Sequence, residues 1–132
     1  MGAIRSMPCS ACPYRRDVPS GVWSADDYAK LPPYDRPTLD QPVQAFPCHA
    51  TSEHLCHGWA VCHSGRGHDR ELLALRFVAV LSGADPEIPE ATVPLFDSGT
   101  EAAEHGLRDV NHPSSEARLT MARLQGKYER LR

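Results

Sequence analysis

Apolar positions along the chain fall into three regimes, and each predicts a different kind of structure. Before Cys48 they come singly, interrupted by eight prolines. Proline removes a backbone donor and fixes φ, so neither a long helix nor a continuous strand fits there. One short helix is predicted over Ala25 to Leu31, where Ser24 and Asp27 have the spacing of a capping box and Pro32-Pro33 forces a stop. Val43 to Phe46 reads as a short extended piece.

The second regime is DRELLALRFVAVLSG, residues 69–83. Leu73, Phe77, Val80 and Leu81 share one face at helical spacing, Asp69 can cap the start, and Gly83 followed by Asp85-Pro86 ends it. This segment, 69–82, is the expected core helix. The third regime opens with a loop holding Pro86, Pro89 and Pro94, followed by a short helix capped by Ser98 or Thr100 and ending near Gly106. From there Ala117, Met121, Leu124, Tyr128 and Leu131 alternate spacings of four and three, one stripe along a helix capped by Ser114 or Ser115. The stripe reads first as a terminal helix packed on its own domain, and second as a face offered to a partner.

These elements predict a small, mainly α single domain with extensive irregular structure. Residues 1–110 form its body, comprising a cysteine-rich part at 8–63, the core helix at 69–82 and an acidic loop at 84–109. A basic amphipathic helix over 111–132 follows. At 132 residues the length fits one domain. Irregular chain buries little apolar surface per residue, so the first third is expected to be held by something other than a core. A metal would do this.

Charge changes the picture only locally. The formal net charge of −3 makes no general case for nucleic-acid binding. Residues 84–109 carry seven acidic side chains against Arg108, a balance of −6, whereas from Asn111 onward five basic side chains face Glu116 and Glu129, a balance of +3. No apolar run approaches the roughly 18 residues of a membrane span, and MGAIRSMPCS lacks the apolar centre of a secretory signal. A cytoplasmic protein without membrane contact is therefore expected. Thiols stay reduced there, and an odd count of five cysteines argues against a closed disulfide framework. The cysteines are better read as metal ligands or reactive groups.

Their placement favours ligands. Cys9-Ser10-Ala11-Cys12 is a two-residue spacing that lets two thiolates converge on one ion or cluster. A thioredoxin-like redox motif would need a strand before it and a helix after it, whereas Pro8 precedes and Pro13 follows. The second ligand group lies in FPCHATSEHLCHGWAVCH, 46–63, with three cysteines and four histidines. Cys48 and Cys56 would complete a tetrathiolate with Cys9 and Cys12. Cys62, His49, His57 and His63 compete, although consecutive residues point apart, so at most one each of Cys48-His49 and Cys62-His63 should bind the same ion. Trp59 is expected to pack over the site and Trp23 to cover it from the other side.

The residues CSACPYRRDVPSGVW, then FPCH, then CHGW resemble a family of small uncharacterised proteins from actinobacteria and their phages. Its pattern is a CxxCP(Y/W)R opening, a later FxCH and a final CxG(W/F). The resemblance covers roughly Pro8 to Leu81 and falls on Cys9, Cys12, Pro13, Tyr14, Arg15, Cys48, His49, Cys56, Gly58 and Trp59. It implies Cys56 rather than Cys62 as the fourth ligand, and it implies no activity. The tail after Gly83 is expected to lie outside it.

Four thiolates suit zinc or a 4Fe-4S cluster. The missing second CxxC and the Cys-Pro step speak for a cluster, whereas the commonness of fixed tetrahedral zinc in small cytosolic domains speaks for zinc, which we prefer. With a closed ligand set, a non-enzymatic module follows, binding a protein partner or a second copy through residues 114–132, with nucleic acid less favoured. The alternative is a metal- or cysteine-dependent enzyme using Cys62 paired with His63, or zinc with Glu53 or Glu71 as base. No HExxH, no Gly-rich phosphate loop beyond Gly65-Arg66-Gly67 and no serine-nucleophile motif supports it, so no catalytic residue is assigned.

Overall fold

The computed structural model describes residues 3–50, 53–64 and 71–130, the last four by their backbone alone. Among the described residues the α-helices are, in order, α1 Ala25–Ala29, α2 His57–Ser64, α3 Leu73–Ser82, α4 Gly99–Leu107 and α5 Ser115–Arg130. Among the described residues there is no strand, only isolated bridges pairing Ile4 with Leu55, Arg15 with Leu95 and Pro47 with Leu55. The mainly helical, irregular class read from the proline pattern is the one observed.

Local signals place α1, α4 and α5. The Ser24 side chain accepts from the Asp27 amide while the Asp27 carboxylate accepts from the Ser24 amide, completing the capping box. After α1 the prolines permit two 3-10 turns, Pro32–Asp35 and Thr38–Asp40. Ser98 caps α4 by accepting from the Glu101 amide at 3.0 Å. Ser114 caps α5 through the Ala117 amide at 3.1 Å. Gly106 lets α4 lie on α1, because a Cβ there would overlap the Tyr28 ring.

The expected core helix needs correction. It begins only at Leu73, since Leu72 is extended at φ −79°, ψ 117°; the proposed cap Asp69 lies outside the described residues. Its stripe does not face the core either. Leu72, Ala74 and Leu75 are buried, whereas Phe77, Val80 and Leu81 are 47%, 80% and 86% exposed. The cause is an anchor at one end. Gln41 Oε1 accepts from the Leu73 amide at 2.9 Å, and the Thr38 hydroxyl exchanges hydrogen bonds with Glu71. Those contacts hold the first turn, and the second half projects.

The core forms instead around Tyr14, Tyr28, Leu31, Phe46, Leu55 and Trp59, joined by Leu95, Phe96, Ala102 and Ala103. The segment before α4 is sewn to the segment after Cys12: Phe96 N donates to the Tyr14 carbonyl at 2.9 Å and Arg16 N to the Pro94 carbonyl at 3.1 Å. A second apolar cluster joins Ala11, Val18, Val22 and Ala117, with Trp23, Met121 and Leu124 against it. The described part of the α5 stripe therefore packs on the CSAC turn and its sequel, the first of the two readings given to it. Tyr128 and Leu131 lie outside the described side chains.

Candidate metal centre

The CSAC turn is closed by Cys12 N donating to the Cys9 carbonyl at 3.2 Å, and Arg15 N then donates to the Cys12 carbonyl at 3.0 Å. Pro13 between them suits this reversal, since its ring presets φ. The second pair of thiols is positioned by a narrow loop across the Pro47–Leu55 bridge. Cys48 N donates to the His54 carbonyl at 2.8 Å, and Cys56 N to the Phe46 carbonyl at 2.9 Å. The N-terminal segment adds a third rung, with Leu55 N on the Ala3 carbonyl and Arg5 N on the Leu55 carbonyl. Helix α2 starts at once after Cys56, so the Trp59 amide donates to Cys56 Sγ at 3.4 Å. The first-turn amides and the positive helix end favour negative charge on that sulfur, and burial opposes it.

The outcome is a convergence of four thiols from three chain segments. Cys12 Sγ and Cys56 Sγ are 3.7 Å apart. Cys9 is hydrogen-bonded to Cys48, and all four are buried with none in a disulfide. Gly58 is shaped to this packing: a Cβ would stand 2.7 Å from Cys12 Sγ and 2.6 Å from Tyr14 Cβ. Among the described residues no three or more His, Cys, Asp or Glu side chains would hold a metal ion as they stand. The thiols are drawn together as two pairs, and binding an ion would require both pairs to turn toward one point.

Proton sharing within the pairs follows from their surroundings. Hydrogen bonding from Cys56, supported by the Tyr14 and Gly58 amides, holds the Cys12 thiol below its ordinary value against the cost of burial. Burial, and then its bond to Cys12, pushes Cys56 up. Cys9 is pushed up by its bond to Cys48 and by burial. Arg5 Nη1 donates to Cys48 Sγ at 3.6 Å. A tetrathiolate around a divalent ion carries a net negative charge, which Arg5 is placed to offset. The sequence reading missed Arg5, whose only signal is proximity that the Ile4–Leu55 bridge creates.

The alternates have contacts of their own. His49 lies between Trp23 and Phe46, with ring centroids at 4.5 Å and 5.1 Å. Its Nε2 is 3.7 Å from Asp27 Oδ1, and its Nδ1 is buried without a partner. Burial lowers its pKa. His57 Nδ1 donates to the Arg5 carbonyl at 2.9 Å, leaving a buried Nε2 without a partner. Cys62 is wholly buried on α2, close to Tyr14. His63 joins a buried network: its Nε2 is 2.9 Å from Tyr14 Oη and its Nδ1 is 3.5 Å from Asp35 Oδ1. Asp35 in turn accepts from the Gly99 and Thr100 amides and the Thr100 hydroxyl, tying α2 to the start of α4. Trp59 is fully buried and meets Tyr34 edge-on at 5.6 Å. Trp23 Nε1 donates to the Ala11 carbonyl at 2.7 Å, so this ring does cover the CSAC turn.

No curated protein and no solved structure matches the chain. A family model does, over residues 4–124. That span reaches past Leu81 through α4 and most of α5, so the expectation that the tail after Gly83 lies outside the resemblance is corrected. The chain belongs to the family of unknown function DUF6283.

Proposed function

We propose that the protein is a non-enzymatic module in which Cys9, Cys12, Cys48 and Cys56 hold one zinc ion, fixing an otherwise weakly cored domain for binding a protein partner. The observation that carries this reading is the Cys12–Cys56 separation of 3.7 Å. Two thiolates on one tetrahedral zinc, each about 2.3 Å from the metal, stand about 3.8 Å apart. The pair thus has the spacing of two ligands on a single ion. A 4Fe-4S cluster gives each cysteine a different iron and spreads the sulfurs farther, so it is the second reading. Zinc, once bound, would supply a closed tetrahedral link between the N-terminal turn and the start of α2.

The Cys62–His63 form of the enzyme alternative finds no support in the interior. Cys62 is 0% exposed and His63 is held between Tyr14 and Asp35, so neither meets solvent where a substrate could arrive. Association through residues 114–132 would use the outward side chains Arg118, Leu119 and Arg123, since Ala117, Met121 and Leu124 face the domain. Among the described residues no helix is long and apolar enough to cross a membrane. A cytoplasmic setting in an actinobacterium or its phage belongs to the same reading.

Elemental analysis and an absorption spectrum of aerobically purified protein test it. One zinc per chain in a colourless sample is the expected result. A brown sample with iron and sulfide would replace zinc by a cluster, and neither metal would remove the reading.

A further inference from the structure

Helix α3 ends in an apolar face that nothing in the described chain covers. Phe77, Val80 and Leu81 are 47%, 80% and 86% exposed, spaced three and four apart on one side of the helix. No other helix packs extensively on α3. An aliphatic side chain as large as Leu81 left this open costs nothing in isolation, but three neighbouring ones at helical spacing form the anchors of a helix-binding surface.

Charge says what such a helix must carry. Directly after α3 come Asp85, Glu87 and Glu90, all exposed, with no ion pair to any of them among the described residues. The carbonyl end of α3 adds a partial negative charge at the same place. The basic side chain described on α3, Arg76, is taken by Glu71 at 2.7 Å. An exposed apolar face is therefore followed directly in the chain by an exposed acidic run. A second copy would bring another acidic run and no spare cation from this face, and an anionic membrane would be repelled.

We infer that the α3 face binds a basic amphipathic helix of a partner protein, its apolar residues seated on Phe77, Val80 and Leu81 and its Lys or Arg side chains facing Asp85, Glu87 and Glu90. This deepens the reading of the chain as an interaction module. It assigns the partner's chemistry and moves the contact from the C-terminal helix to α3.

The probes are two synthetic helical peptides with leucines at identical positions, one with lysine and the other with glutamate at the polar positions. Anisotropy titrations of the full chain should give at least about tenfold tighter binding of the lysine peptide. Leu81→Glu should weaken it about tenfold or more, as should the triple change Asp85→Asn, Glu87→Gln, Glu90→Gln, since both remove anchors of the contact. All four residues are exposed, so the variants should keep the circular dichroism of the parent. Equal binding of both peptides, or lysine-peptide binding that Leu81→Glu leaves unchanged, overturns the inference. So does a concentration-dependent dimer in sedimentation equilibrium that Leu81→Glu abolishes, which would make a second copy the occupant. Vesicle binding lost in Leu81→Glu would give the face to a membrane instead. Metal content measured in the same samples reports on the four-cysteine reading separately, so one can fail while the other stands.

Discussion

Gly58 is packed directly against Cys12, on the sulfur itself: the first side-chain carbon that any other residue would add comes within 2.7 Å of Sγ. Neither side can yield, because the same carbon would meet Tyr14 Cβ at 2.6 Å and Tyr14 is wholly buried. Gly58→Ala should therefore destabilise the protein by about 1–3 kcal/mol, the usual cost of overpacking a closed interior. Urea unfolding measures this, and a change below about 0.5 kcal/mol would mean that the two segments are not in contact.

Cys56→Ser should abolish stoichiometric zinc, whereas Cys62→Ala should retain it. Loss of zinc from the second variant with retention in the first would hand the fourth position to Cys62. Arg5→Ala should keep the ion but release it faster to a chelator, by no more than about 100-fold if Arg5 acts only on the Cys48 sulfur.

Asp35 ties the start of α4 to His63 and to the 3-10 turn it ends. Burial opposes its ionisation, but hydrogen bonds from the Thr100 hydroxyl and the Gly99 and Thr100 amides outweigh this and lower its pKa below 3.8. A depressed carboxylate stabilises above its unfolded value and loses that contribution as pH falls through the folded one. Asp35→Asn should thus cost about 1–2 kcal/mol at neutral pH, as for a lost helix cap. The gap between variant and parent should narrow below pH 3.8. A gap that is the same at both pH values would refute the ionic role.

At the alkaline end, burial pushes Tyr34 up from 10.0 to about 12, and its hydroxyl donates to the Gln44 carbonyl at 2.7 Å. A raised phenol stabilises fully below its unfolded pKa, and the contribution disappears as pH climbs through the folded one. Stability should fall between pH 10 and about 12. Tyr34→Phe should flatten that fall, which parallel denaturant titrations would reveal.

Deleting residues 114–132 should destabilise the domain, since it removes Ala117, Met121 and Leu124 from the cluster they form with Ala11, Val18 and Val22. Area removed from water at this scale corresponds to about 2–4 kcal/mol. A truncated chain that melts like the parent would restore the view of α5 as a free arm.

What could be read beforehand was what the sequence encodes locally. Ser24 and Asp27 are three residues apart and cap their own helix, and Cys9 and Cys12 lie on one turn, so spacing alone identified them. Helix α2 escaped because seven of its eight residues, His57 to His63, are buried, which leaves no polar face to give a period. For α3 the period was real, and its direction was misread. A regular apolar stripe says that something will cover it, without saying whether that is the chain's own core. The Arg5–Cys48 and Tyr14–His63 contacts join residues 43 and 49 positions apart, beyond any local pattern.

The position of the four thiols within the chain gives their assembly a temporal order. All of them precede α2, and the last, Cys56, is synthesised before any of α3, α4 and α5. If zinc is what they hold, the nascent chain can load it before α5 has been made. Ala117, by contrast, can reach Ala11 only later, once α5 has been made. Ribosome-bound fragments ending before α5 but long enough to carry Cys56 out of the exit tunnel would then already retain zinc, with the CSAC turn still open to solvent on the side that α5 later closes.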